Sequence, residues 1–368
     1  MDGARRGYTG ITIPHAENPI RSGILEMDPP PNTGAYRQVL NPYLSPAAVA
    51  RWIPFVDDVT HACLDEKIES GGIDFVDDLA NIVPAVLTLA MLGIPLHKWK
   101  VYSEPAHAAL YTPPDSPDRE RVLDLHRTMG TDLFATIHEV RQTPRPGLVD
   151  ALVRAEIDGQ VPPDIEILGM LNLLIGGGFD TTTALTAHAF EWLSQNPDER
   201  SRLDRERDSL LDSATEEFLR YFTPTPPGDG RTICADYDYA GAVSVRVSDC
   251  GCRGRWPIAT RRCSTIRMSS ISNEKVTGTS VSGWGIHRCI GSNVARAVFK
   301  RMLLAVLDRI PDFHCSPDDA VHYETIGIIQ ACGICRRRSR PDHASVPDST
   351  RRSRGCRPVR RTGPCRAG

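Results

Sequence analysis

From Ile165 to about Ser194 the apolar residues recur at helical spacing, a run longer than most globular helices. Pro162, Pro163 and the N-cap candidate Asp164 open it, and Asn196-Pro197 close it. In its middle stands Gly176-Gly177-Gly178-Phe179-Asp180-Thr181-Thr182-Thr183. Each internal Gly costs about 1 kcal/mol relative to Ala, and β-branched Thr is a poor helix former, so the sequence gives up stability at that point. Two readings fit. Small residues allow a close helix crossing; alternatively the helix opens its hydrogen bonding and lets a flat or bulky ligand reach the backbone, with Asp180 placing an acid beside the Thr181 hydroxyl. A phosphate loop is excluded, because no Gly-Lys-Ser/Thr follows.

The segments around this helix are also mainly helical in pattern. Ala48, Trp52, Phe55, Val56 and Val59, then Phe75, Leu79, Ile82, Val86 and Leu89, predict two packed helices between Ser45 and about Ala90. Further helices are expected over Arg119 to Arg141, Gly147 to Glu156, Asp198 to Leu211 and Ala214 to Tyr221. Val294, Val298, Met302, Leu303, Val306 and Leu307 line one face of a last helix that starts near Cys289 and ends at Ile310-Pro311. Thr232 to Val247 is the best strand candidate, and 249–282 has neither period. The chain therefore reads as mainly α with a small β portion.

Charge and composition narrow the function classes. From Arg336 to the end there are eleven Arg against two Asp, so the net charge of -3 conceals an acidic body and a basic tail. No global field draws the chain to nucleic acid, and the Arg clusters lack interleaved aromatics for base stacking. No run of about twenty apolar residues exists and the N-terminus carries no signal-type stretch, which leaves a cytoplasmic chain as the expectation. There the eleven Cys should mostly be reduced; only Cys63 precedes position 234. Cys332-Gly333-Ile334-Cys335 resembles half a zinc knuckle, but Cys356 and Cys365 do not supply the second pair.

Two further motifs carry chemistry. Glu217-Phe218-Leu219-Arg220 sets a carboxylate and a guanidinium three residues apart on one helical face, a pair usually solvated and worth under about 1 kcal/mol. Gly283-Trp284-Gly285-Ile286-His287-Arg288-Cys289-Ile290-Gly291 runs straight into a helix. Gly285 and Gly291 let backbone pass close to something flat, and a helix start with His287 and Arg288 nearby favours a Cys289 thiolate. A metal ligand, a reactive thiol and a buried free Cys all remain compatible with these residues alone.

Taken in order, the acid and Thr in a helix, E-x-x-R, then G-x-H-x-C-x-G before a helix resemble a bacterial cytochrome P-450, a heme-thiolate monooxygenase, over roughly residues 10–330. The resemblance implies the cytochrome P-450 fold over 1–330, followed by a disordered Arg- and Cys-rich tail over 331–368. It makes Cys289 the proximal thiolate on heme iron (iron protoporphyrin IX), whose electron push favours O–O cleavage. Asp180 and Thr181 would relay protons during oxygen activation, with Gly177 beside the heme in the long helix. Glu217 and Arg220 would form a buried structural pair, and Arg37, Arg231 and His287 would meet the heme propionates. The reaction implied is insertion of one oxygen atom from O2 into a hydrophobic organic substrate, with electrons from a separate ferredoxin and ferredoxin reductase. The alternative is a catalytically impaired heme- or ligand-binding relative.

Three departures from the family pattern stand out. A preceding N-terminal segment is expected and absent, and Thr33 stands where a His four residues before the propionate Arg is usual, which should weaken propionate binding. Val281-Ser282 replaces the expected aromatic before Gly283. Back-translating Pro257 to Trp284 and reading one base out of phase gives NRDPAVFDDPDEFDLERESNRHVGFGLG, a fluent family sequence, so a shifted frame is inferred from about Val245 to Trp284 and again after residue 330. Replacing that packed segment uncovers apolar surface at about 25 cal/mol per Å², and weak heme retention is the expected cost.

Overall fold

The computed structural model describes residues 32–112, 115–225, 230–232, 236–239, 242–244, 249–251, 280–283, 285–316, 320–323 and 331–333. The chain divides into two units, 1–338 and 339–368; the second lies outside the described residues. So do 252–279, the centre of the inferred frame shift, and the tail from 334 onward.

The described part of the first unit is built of helices α1 (Asn32–Leu44), α2 (Pro46–Ala50), α3 (Ile53–Ile68), α4 (Ile82–Leu92), α5 (Trp99–Tyr111), α6 (Arg119–Gln142), α7 (Leu148–Val153), α8 (Asp164–Gly178), α9 (Asp180–Gln195), α10 (Pro197–Arg205), α11 (Arg207–Phe222) and α12 (Ser292–Arg309). Its strands are short: β1 (Gly230–Thr232) pairs with β4 (Asp249–Gly251), β2 (Tyr237–Tyr239) with β3 (Ala242–Ser244), and β5 (Val321–Tyr323) with β6 (Ala331–Gly333), all antiparallel. The best strand candidate, Thr232 to Val247, holds the end of β1 and all of β2 and β3, with Arg231 opposite Cys250 in one sheet and Asp238 opposite Val243 in another. β5 and β6 both belong to the first unit.

α9 is the middle of the packing. Apart from its last turn it is buried nearly all round, and it packs against α8, α10, α11 and α12. Phe190 packs edge-on to Phe75 at 4.9 Å, and Phe75 in turn to Phe313 at 5.1 Å. Thr183 donates its hydroxyl to the Ala80 carbonyl at 2.7 Å, fixing the π-helical turn Val76–Ala80 to α9. α12 is anchored by guanidinium pairs of bidentate form, Arg301 on Asp57 of α3 at 2.5 and 2.8 Å and Arg296 on Glu216 of α11 at 2.5 and 3.0 Å. On the opposite side Arg141 ties the end of α6 to Asp164 at the start of α8, at 2.6 and 3.0 Å.

Two helices carry no sequence signal. α1 and α5 hold Pro42 and Pro105 in their interiors, and proline removes a hydrogen bond and crowds the preceding turn. Packing overrides this: Tyr36, Leu40 and Leu44 bury one stripe of α1, and Tyr102 of α5 is fully enclosed.

α4 ends on Gly93 in the left-handed region, φ +80°. A Cβ at Gly93 would stand 2.6 Å from the carbonyl oxygen of Pro146, so the site excludes side chains by conformation and by contact. Gly93→Ala is expected to destabilise the chain by about 1–3 kcal/mol, read as a fall in the urea midpoint at unchanged slope. An unchanged midpoint would contradict this account of the α4–α7 contact.

Candidate active site

The long helix expected over Ile165 to Ser194 is present as two successive helices, α8 and α9, divided at Phe179 (φ -96°, ψ -81°). The break falls where the glycines and threonines weaken the helix. Ile175, Phe179 and Asp180 are buried, yet Gly176 and Gly177 between them are exposed, and a Cβ at either would meet nothing within 4 Å. Of the two readings of the glycine run, close crossing applies to Gly178 alone, where a Cβ would lie 2.7 Å from Thr88 Oγ1. At Gly176 and Gly177 the backbone faces open space flanked by half-buried Leu173 and Leu174.

Thr181 is half-buried and donates its hydroxyl to the Gly177 carbonyl at 3.0 Å. Asp180 is almost fully enclosed and pairs with His107 Nδ1 of α5. His107 was not legible in the sequence. It lies far from Asp180 along the chain, in a helix with an internal proline and no motif, so neither spacing nor period points to it.

The second half of the site is the loop before α12. Gly283 (φ +69°) and Gly285 (φ +70°) take conformations that other residues avoid, and they turn the chain so that the Cys289 N–H reaches the Ser282 carbonyl at 2.7 Å. Arg296 Nη1 meets Ser282 Oγ at 3.2 Å, so the loop remains pinned to α12 although Val281-Ser282 replaces the expected aromatic. A Cβ at Gly285 or at Gly291, the N-cap of α12, would also meet open space.

Cys289 is a free thiol and accessible, though protein atoms crowd it from the sides. That surrounding pushes its pKa up, against the Gly291 N–H and the charges of Arg296, Arg37 and Arg288, which pull it down. The expectation that the helix start favours the thiolate by itself is thus corrected: loss of hydration outweighs the cations.

α1 delivers Arg37 to the same place, where its Nη2 donates to the Arg288 carbonyl. His287 sits half-buried in the turn Gly285–His287. Arg231 lies on β1, and its side chain is outside the described residues. Glu217 and Arg220, expected from the residues alone to be a solvated pair, are buried and bidentate at 2.6 Å twice.

These parts converge. α12, which leaves the Cys loop, packs on α9, which leaves the helix break. The donor set suits a flat apolar ring bearing carboxylates: two stretches of glycine backbone facing open space, an accessible thiol for a metal, and Arg37 and His287 for anionic edges. Among the described residues no cluster of three or more His, Cys, Asp or Glu competes as a metal site. No described helix is long and apolar enough to cross a membrane. Cys315 is disulfide-bonded, an exception to the expected reduced state.

No protein-family model matches the chain. Relatives among characterised proteins do. Cytochrome P450 109 of Bacillus spizizenii is 28% identical over 283 residues, 74% of this chain and 68% of the relative. Cytochrome P450 monooxygenase PikC of Streptomyces venezuelae is 29% identical over 338 residues, 87% and 76% of the two chains. Erythromycin C-12 hydroxylase of Saccharopolyspora erythraea is 27% identical over 323 residues, 84% and 79%. Among solved structures, a mutant of P450 EryK in complex with erythromycin B superposes with a TM-score of 0.78 at 23% identity, covering 90% of this chain and 85% of that one. The Bacillus subtilis cytochrome P450 PksS does so with 0.76 at 21% identity, covering 86% and 81%. Their shared fold is the mainly helical one described above, and the group they hold is heme. By fold and by sequence the chain is similar to the bacterial cytochrome P450s, which are heme-thiolate monooxygenases.

Proposed function

We propose that this chain inserts one oxygen atom from O2 into a bulky hydrophobic substrate, taking electrons from a separate ferredoxin and ferredoxin reductase. The observation that carries the reading is the pairing of an accessible Cys289 with a glycine-lined helix break at Asp180 and Thr181, joined through the α9–α12 contact. Heme bound there supplies the oxygen-activating iron and its porphyrin. Cys289 Sγ would be its protein ligand, with Gly285 and Gly291 allowing close approach. Arg37, Arg231 and His287 would hold the propionates, Arg37 with the N–H groups that its bond to the Arg288 carbonyl leaves over.

Thr181 follows directly on the acid Asp180, and its Oγ1–H donates a hydrogen bond to the Gly177 carbonyl. The oxygen's remaining lone pairs are open on the half-exposed side, so Oγ1 can accept one proton and pass on another without side-chain rebuilding. Leu173 and Leu174 line the same face and favour apolar substrates. Relatives whose names specify vitamin D3 and erythromycin as substrates support a large, mostly apolar molecule. Glu217 and Arg220 are assigned a structural role.

The test is Thr181→Ala. Positioned proton transfer contributes about 100-fold or more, so product formed per electron consumed should fall steeply while hydrogen peroxide rises. Thr181→Ser should restore much of the product. Equal coupling in Thr181→Ala and the parent would remove Thr181 from the proton path.

A further inference from the structure

Asp180 carries the most deeply enclosed acidic side chain among the described residues, at 1% exposure. A carboxylate so placed must be neutralised by protonation or matched by a cation or donor. It lies in the first turn of α9, where the helix dipole favours an anion, yet no described backbone N–H caps with it. The partner that it does have comes from another element: Nδ1 of His107, in the C-terminal half of α5. α5 also packs on α8, so the pair ties α5 to the start of α9 next to that contact.

The adjacent hydroxyl is held differently. Thr181 bonds to its own helix through the Gly177 carbonyl, and Thr183, two residues on, bonds to Ala80. Asp180 and Thr183 are thus each tied to another element, Asp180 to α5 and Thr183 to the π-helical turn, whereas Thr181 is held only by its own helix. We propose that His107 is a positioning residue for the Asp180–Thr181 pair: its Nδ1–H fixes the orientation of the Asp180 carboxylate and makes it depend on the seat of α5. This rests on the assignment of Asp180 to proton handling made above. Without the imidazole the carboxylate must either take up a proton or turn to another donor. Either change alters the group next to Thr181 Oγ1.

The chemistry of substitution offers a specific control. In His107→Asn the side-chain amide nitrogen occupies the same position off Cγ as Nδ1, so a donor to Asp180 is kept while the ring is lost. His107→Ala removes both. The experiment compares the full chain, heme-loaded, with His107→Ala, His107→Asn, Asp180→Asn and the double variant His107→Ala with Asp180→Asn. Denaturant midpoints come first and need no turnover: His107→Ala should lower the midpoint in the parent but have little effect when Asp180 is already Asn, because no buried charge is then left to match. Peroxide formed per electron consumed comes second, in variants that keep the parent's carbon monoxide band: it should rise several-fold in His107→Ala and return towards the parent in His107→Asn. Additive midpoints would show that the two side chains do not act on each other and would overturn the proposal. So would a parent-like peroxide fraction in His107→Ala. A parent chain with no thiolate-type carbon monoxide band would defeat the monooxygenase reading separately, and the midpoint cycle would still decide whether His107 sets Asp180.

Discussion

Cys289→Ala is expected to leave the chain folded and to abolish the thiolate-type spectrum of the reduced, carbon monoxide-treated protein. The reasoning is local. Cys289 is accessible, and its carbonyl and N–H, which bond to Ser292 and Ser282, survive the substitution. Truncating an accessible side chain removes little apolar burial, so the denaturant midpoint should move by under about 0.5 kcal/mol. Heme affinity should fall, since glycine backbone and propionate partners remain but the metal bond is lost. Far-ultraviolet circular dichroism and the carbon monoxide spectrum, taken on the same sample, check both halves. A thiolate-type band that survives in Cys289→Ala would require another cysteine as ligand and would undo the site.

The largest expected effect on stability is at Glu217 and Arg220. Their two hydrogen bonds of 2.6 Å join side chains that are mostly shielded from water, in a helix whose Phe218 is fully enclosed against Trp192 and Phe299. The guanidinium is held charged above its ordinary range, mainly by the Glu217 bond, against an opposing effect of burial. Removing one partner strands a buried charge, so Glu217→Ala or Arg220→Ala should each cost about 3–5 kcal/mol. Replacing both with apolar residues of similar size should cost less than either single change, because no unmatched charge remains. Urea denaturation of the three variants measures this. Losses under about 1 kcal/mol would show the pair to be the solvated surface contact that its spacing alone suggests.

That pair shows where sequence reading stops. An E-x-x-R spacing gives a shared helical face but no depth; the depth comes from aromatic packing that gathers residues from α9, α11 and α12. The glycine run was more informative, because three glycines and three threonines inside an apolar helix have a local cost that must be met by a local use. The structure puts the division of the helix at Phe179, directly beside them. α1 and α5 were invisible because Pro42 and Pro105 break the helical signal and tertiary burial supplies what propensity withholds. His107 follows from the same blind spot: a lone histidine in an unrecognised helix acquires meaning only through the carboxylate it touches.

The Cys loop shows the opposite case. Its glycines and its helix start were legible in sequence, but the protonation preference of the thiol was not, because proximity to cations was visible and loss of hydration was not.

The visible spectrum of the purified chain after reduction with dithionite and exposure to carbon monoxide tests heme ligation by Cys289 most directly. Ligation by the Cys289 thiolate predicts a strongly red-shifted Soret band. A Soret band at the position of a His- or neutral thiol-ligated heme, or no heme band at all, would contradict it.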